Sequence, residues 1–284
     1  MKFENSVIDL IKKRTSTRTF EFKEIDPNLF QKLESILKDI NEDAVALSGI
    51  KAKFFLSSFK NLDLKEEKKI GTYGVISGAK NYIVGIVDQD EKNAFEFGYL
   101  FEKIVLAATD LGLQTCWLGG TFKKADFEQI MELSDHEKIA IVSPLGYKKD
   151  KLRMMEMAMR KVVGANKRKP WQEIFFDKSP ATPLTENEAA EYAVPLEMVR
   201  IGPSASNKQP WRVIKIGECY HFFLSRTKGY GASSFDMQLN DIGIAKCHFE
   251  LSAESLGLYG EWINQSPEIG PSEWSYVCTW KAEN

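Results

Sequence analysis

Two stretches carry side chains able to do chemistry. Gly202-Pro203-Ser204-Ala205-Ser206-Asn207-Lys208-Gln209-Pro210-Trp211 gathers serines and side-chain amides into a turn bounded by prolines. Proline fixes φ, and short hydroxyl and amide side chains hydrogen-bond either a ligand or the adjacent backbone. Lys13-Arg14-Thr15-Ser16-Thr17-Arg18-Thr19-Phe20 interleaves cations with hydroxyls. The chain's formal net charge is −2, so any anion site must be local, and nucleic acid or an acidic membrane is not an expected partner. From residue chemistry alone the first stretch reads equally well as a plain turn before a strand. A single arginine reads first as a solvated surface charge.

Other chemistries find no support. His136, His221 and His248 have no metal-ligand spacing. Gly202 to Ser206 is not a nucleophile elbow, because a strand follows it rather than a helix. There is no glycine-rich phosphate loop. Cys116, Cys219, Cys247 and Cys278 are far apart, as free thiols in a reducing compartment would be. The N-terminal MKFENSVIDLIKKR lacks secretory features, and no apolar run approaches bilayer length, so a cytoplasmic location is expected.

The positioning elements follow from periodicity. Ser6–Lys13 reads as a short helix. Asp26-Pro27 opens a second, with Asp26 as N-cap and Phe30, Leu33, Ile36 and Leu37 as its apolar stripe. Lys51–Ser57 and Tyr82–Val87 read as strands. Phe97, Leu100, Phe101, Ile104, Val105, Ala108 and Leu111 predict a largely buried helix over Glu96–Leu113, ended near Gly112. Lys123–Leu133 is a further amphipathic helix, and Ile139–Val142 a strand. Residues 164–190 read as a polar, loop-like junction with a helix start at Thr185-Glu186-Asn187-Glu188. After the turn at Gly202 come a hairpin (Arg212–Ile216, Tyr220–Leu224), another helix and a last strand near Tyr276–Trp280. The Met154, Met155, Met157 and Met159 run reads as a packed connector between halves.

An internal repeat underlies this order. Gly98, Ala108, Leu111, Gly112, Leu113 and Trp117 recur as Gly243, Ala253, Leu256, Gly257, Leu258 and Trp262, each 145 residues on. The division predicted is a first half over 1–163, a connector over 164–190 and a second half over 191–284.

The two chemical stretches together resemble the flavin-binding signatures of the nitroreductase family of FMN-dependent oxidoreductases. Those are Arg-x-Ser-x-Arg/Lys near the start and Pro-Ser-x-x-Asn-x-Gln-Pro-Trp later. Each signature occurs once here, in different halves, which resembles a double-length, fused branch of that family. The resemblance implies an α+β nitroreductase-like fold with mixed and antiparallel sheets and central helices. Family members are usually homodimers whose FMN is contacted by both subunits, so a pseudo-dimer with one FMN per chain is implied, monomeric through fusion.

The resemblance assigns Arg14 and Ser16 to the phosphate, and Arg18 to the pyrimidine edge, where a cation favours reduced flavin. Arg168, in Asn166-Lys167-Arg168-Lys169-Pro170, matches a family basic run whose first lysine is Asn166 here. Pro203, Ser204, Ser206 and Asn207 match positions along the ring face, ribityl chain and ring edge. Ala205 stands where a second serine is common, and Gln209-Pro210-Trp211 is structural. Gly119 and Gly120, in Trp117-Leu118-Gly119-Gly120, match the stretch whose backbone N–H approaches flavin N5. Many members carry an acid where Gly119 stands. Thr72, in Thr72-Tyr73-Gly74, occupies the register of a flavin-touching asparagine. The implied activity is NAD(P)H-driven, ping-pong reduction of nitroaromatics, quinones or similar acceptors, with no catalytic side chain. The alternative is an FMN store, sensor or scavenger on the same fold.

Overall fold

A computed structural model of the 284-residue chain describes residues 2–44, 49–58, 72, 74–131, 133–150, 154–165, 167–230 and 235–283. In chain order come α1 (Val7–Lys13), α2 (Pro27–Asp43), β1 (Ala52–Ser58), β2 (Asn81–Asp88), α3 (Ala94–Asp110) and β3 (Gln114–Thr115). Then follow α4 (Lys124–Met131), β4 (Glu137–Gly146), α5 (Met154–Val162), β5 (Phe175–Asp177), α6 (Glu186–Ala189) and α7 (Ala193–Ile201). The chain closes with β6 (Trp211–Ile216), β7 (Cys219–Ser225), α8 (Met237–Ser255), β8 (Gly260–Ile263) and β9 (Trp274–Ala282). No helix among the described residues is long and apolar enough to cross a membrane.

Local sequence rules account for most boundaries. Asp26 caps α2, its Oδ1 accepting from the N–H groups of Asn28 (2.9 Å) and Leu29 (3.4 Å), with Pro27 in the first turn. Thr185 and Glu188 form a reciprocal capping box on α6. That helix breaks at Ala190, where φ is 51°, and restarts through a 3-10 turn into α7.

Two compact units emerge. One comprises Met1–Asn5, Lys13–Asn93 and Lys103–Ala165; the other comprises Ser6–Lys12, Ala94–Glu102 and Asn166–Asn284. The first holds an antiparallel sheet in the order β1-β2-β4-β3. Its core packs Tyr82, Val84 and Ile86 of β2 against Phe20, Cys116, Leu118, Phe127 and Val142. The outer edge of β1 is closed by Asn41 of α2. The Asn41 amide donates to Phe54 O (2.9 Å) and accepts from Phe54 N (2.8 Å), as a neighbouring strand would.

The second unit holds a mixed sheet in the order β5-β6-β7-β9-β8, with β5 parallel to β6 and the remaining pairs antiparallel. Strand β5 corrects the loop reading of 164–190. Three residues give no periodicity of their own, and the Phe175↔Val213 to Asp177↔Lys215 ladder comes from the partner strand. Trp171, Phe175, Trp211, Phe222, Phe249 and Trp280 build an aromatic-rich core beneath the sheet.

The repeat reappears as topology. Strands β6-β7-β9-β8 have the order of β1-β2-β4-β3, with α8 and α3 each leaving the second strand of its set. Gly112 and Gly257 follow the two helices, both at φ 77°, where only glycine is unstrained. Within the second unit a Cβ on Gly98 would lie 2.2 Å from the carbonyl oxygen of Asn240. One on Gly243 would lie 2.0 Å from that of Phe95. The 145-residue offset turns one contact into the other (98 into 243, 95 into 240), the reciprocity of a two-fold contact.

Candidate functional site

The Arg14–Phe20 segment is extended and stitched into the first unit along its length. Thr17 N donates to Thr115 O (2.9 Å), Ser77 N to Arg18 O (2.9 Å) and Phe20 N to Ser77 O (2.7 Å). Lys149 N donates to Thr19 O at 3.1 Å. Side chains on one face, Thr17 and Thr19, are buried, and Arg14 is only 8% exposed. Ser16 and Arg18 are half-buried. Arg18 Nε is buried without a hydrogen-bond partner among the described residues.

Cys116 is fully buried beside this segment. Burial raises its thiol pKa most; Arg18 and Arg14 draw it down, Glu156 pushes it up, and a Ser16 hydrogen bond lowers it. Glu156 also meets this segment directly, its carboxylate accepting from Arg18 N (3.2 Å) and Thr19 Oγ1 (2.6 Å). Leu118 is held to Val142 by paired backbone bonds of 2.9 and 3.0 Å, which fixes the following Gly119 and Gly120. A Cβ on Gly120 would meet nothing within 4 Å, so the chain there is open to an approaching group. Thr72 is buried, and its Oγ1 accepts from Ile76 N at 3.3 Å. Tyr73 lies outside the described residues.

In the second unit α7 ends at Ile201 and leads into the turn. Ser206 (φ 47°), Asn207 (φ 55°) and Gln209 (φ 50°) all adopt left-handed backbone. Such conformations cost about 1–2 kcal/mol per non-glycine residue, so dedicated contacts must hold them. Ser204 Oγ accepts from Gln209 N (2.9 Å), and Asn207 N donates to Ser204 O (2.9 Å). Gln209 Oε1 accepts from Lys169 N (2.8 Å), while its amide nitrogen reaches Asn207 O (3.1 Å). Arg168 donates to Ile201 O (3.0 Å) and to Asn207 Oδ1 (3.3 Å), bracing the turn from outside. Asn166 lies outside the described residues. Pro203 is buried, and exposed Ser206 accepts from Tyr230 Oη at 2.9 Å. Trp211 is fully buried in the core, the structural part expected of Gln209-Pro210-Trp211.

The family model described as "Putative TM nitroreductase" matches residues 6–253. The chain belongs to this nitroreductase family. Among solved structures, the "putative nitroreductase" of Thermotoga maritima is similar over 99% of this chain and 95% of its own, at 18% identity and a TM-score of 0.55. A nitroreductase family protein of Clostridium novyi is 25% identical, with a TM-score of 0.41, over 53% of this chain and 87% of that one. An FMN-dependent nitroreductase of Clostridium difficile is 18% identical, with a TM-score of 0.39, over 51% of this chain and 90% of that one. No curated protein matches the sequence.

Several residues of this nitroreductase-family chain escape motif reading. Asp241, in the second turn of α8, accepts the Ala205 N–H on both carboxyl oxygens at 3.1 Å. Its burial raises its pKa well above the usual carboxylate range, the Ala205 bond opposes this, and Asp236 adds to it. Glu156 ties α5 to the Arg14–Phe20 segment and is the single acid between Lys151 and Lys161, the one sequence signal that marks it. The methionine run corrects the packed-connector reading. It is helix α5, with Met154 83% and Met157 51% exposed. His221 Nδ1 meets Thr279 Oγ1 at 2.7 Å, and buried His248 meets Glu102 at 2.9 Å.

Lys169, beside the turn, carries a titration prediction. Burial chiefly, then Arg212 and Lys208, lower its ammonium from 10.5 to about 8. The unfolded chain therefore binds more protons than the folded one between those values, and stability rises with pH across that window. Lys169→Met removes that slope. Stability measured by denaturant from pH 7 to pH 10.5 should rise relative to Lys169→Met in the wild type, and parallel curves would refute the assignment.

Proposed function

We propose that the chain binds FMN and uses NAD(P)H to reduce a small electrophilic acceptor such as a nitroaromatic or quinone, by a ping-pong sequence. The observation that carries this reading is the Arg14-Ser16-Arg18 segment, fixed by backbone bonds at Thr17, Arg18, Thr19 and Phe20, with a buried Arg18 Nε lacking a partner among the described residues. A rigid cation with an unspent donor at Arg18 suits an electron-rich ring edge, and a buried guanidinium at Arg14 suits a phosphate. FMN, when bound, supplies hydride transfer at N5.

The protein binds and orients. Arg14 and Ser16 take the phosphate, which carries close to two negative charges. Arg18 donates to the pyrimidine edge and favours reduced flavin. The backbone at Gly119 and Gly120 would serve flavin N5, and the open space beside Gly120 would admit a close neighbour. Thr72 lines the same half. Pro203, Ser204, Ser206 and Asn207 match the family positions for the ring face, ribityl chain and ring edge, with Arg168 bracing Asn207.

The halves, 1–163 and 191–284, joined through 164–190, represent a duplicated subunit acting as a pseudo-dimer with one FMN per chain. The shared strand order and the reciprocal glycine contacts support that reading. The protein is expected to be monomeric and cytoplasmic. Purified protein should be yellow, hold one phosphorus per chain, bleach with NAD(P)H and recolour with an acceptor. Colour without bleaching would favour a flavin store, and colourless protein that takes up no FMN would overturn the proposal.

A further inference from the structure

Among the described side chains of helix α5 one is buried, and it is an acid. Glu156 is 1% exposed, in the first turn of α5. Its Oε1 accepts the Arg18 N–H at 3.2 Å and its Oε2 the Thr19 hydroxyl at 2.6 Å. A second contact runs the same way: Arg160 Nη1, one turn on, reaches Ser16 O at 3.5 Å. Burying a carboxylate is costly unless donors and cations compensate it. Here the donors are the peptide of Arg18 and the side chain next to it. The helix grips the arginine segment through the Arg18 N–H and the Thr19 hydroxyl and takes nothing from Arg18 Nε, which is buried without a hydrogen-bond partner among the described residues.

We propose that Glu156 is a positioning residue for flavin: by accepting the Arg18 N–H and the Thr19 hydroxyl it locks the backbone at Arg18 and so aims that side chain, while its charge opposes the pull of Arg18 on reduced flavin. This rests on the FMN reading above. The carboxylate lies 3.2 Å from the backbone nitrogen of Arg18, so its charge acts beside that arginine. A nearby negative charge disfavours the anionic reduced ring and lowers the potential.

Three variants separate anchoring from charge. Glu156→Gln keeps both contacts, its carbonyl accepting from Arg18 N and its amide donating to a rotated Thr19 hydroxyl, but removes the charge. Thr19→Val keeps the charge and removes one bond. Glu156→Ala removes everything. Flavin fluorescence quenching gives Kd, and equilibration with a redox dye gives the midpoint potential. Glu156→Ala should weaken FMN binding at least about tenfold and Glu156→Gln less than about threefold. Glu156→Gln should favour reduced over oxidised FMN by about tenfold, which is about 30 mV for a two-electron couple. Thr19→Val should leave the potential in place.

Amide exchange of Arg18 on flavin-free protein reads the anchor directly. It should quicken in Glu156→Ala and, less, in Thr19→Val. Faster exchange in a protein that binds no FMN would sink the FMN reading and the potential claim with it, and leave the anchor standing. Unchanged exchange in Glu156→Ala, or an unmoved potential in Glu156→Gln of a protein that does bind FMN, overturns the proposal itself. A drop in thermal stability alone, with exchange, Kd and potential unmoved, overturns it too.

Discussion

On the FMN reading proposed above, Arg14→Ala should cost the protein its flavin: the FMN Kd should rise by on the order of a hundredfold or more. Arg14 is 8% exposed, so its guanidinium meets a ligand in a partly desolvated setting, where a charge-assisted bond to phosphate is strong. Truncating one partner of such a pair costs about 2–5 kcal/mol, much of it from leaving the other charge unmatched. The chain's net charge of −2 offers no general positive field to compensate. Arg14→Lys restores charge but not the planar fork, so its Kd should fall between the two. Fluorescence titration of the apoprotein measures all three, and an Arg14→Ala variant with wild-type affinity would refute the assignment.

Alanine at Gly98 in α3 or Gly243 in α8 should destabilise the fold more than alanine at Gly112 or Gly257, the glycines that follow those helices. The added carbon would sit 2.2 or 2.0 Å from a backbone carbonyl oxygen, and backbone cannot rotate away as a side chain can. Overpacking of this kind costs about 1–3 kcal/mol, and these contacts place both variants at the upper end, about 3 kcal/mol. The contacts exchange under the 145-residue offset, so the two losses should be equal within error. Gly112→Ala and Gly257→Ala are the controls. Both positions have φ 77° and nothing within 4 Å of an added Cβ, so only the left-handed strain of roughly 1–2 kcal/mol applies. Denaturant unfolding of the four variants tests the order. Equal losses at all four positions would mean that the close approach contributes nothing.

Both predictions rest on positions that the sequence marks by type. What the sequence determined was whatever depends on neighbours within a few residues. Asp26-Pro27 specifies the start of α2, Thr185 and Glu188 the start of α6, and Gly112 and Gly257 the stops of α3 and α8. The repeat was legible because Gly98 and Gly243 tolerate no side chain, so duplication leaves them as matched glycines. Both chemical stretches were legible because few residue types combine short hydroxyls, amides and cations so densely.

Tertiary structure alone decided the rest, because the deciding partners are remote in sequence. Strand β5 exists through β6, and strands β3 and β8 are too short to announce themselves. Left-handed backbone at Ser206, Asn207 and Gln209 depends on Ser204, Lys169 and Arg168, and nothing in the turn's own residues requires it. Glu156, polar in sequence, becomes a buried anchor because two donors of an extended segment 137 and 138 residues away converge on it. A buried carboxylate is stable only where such donors meet, and that meeting is a property of the fold.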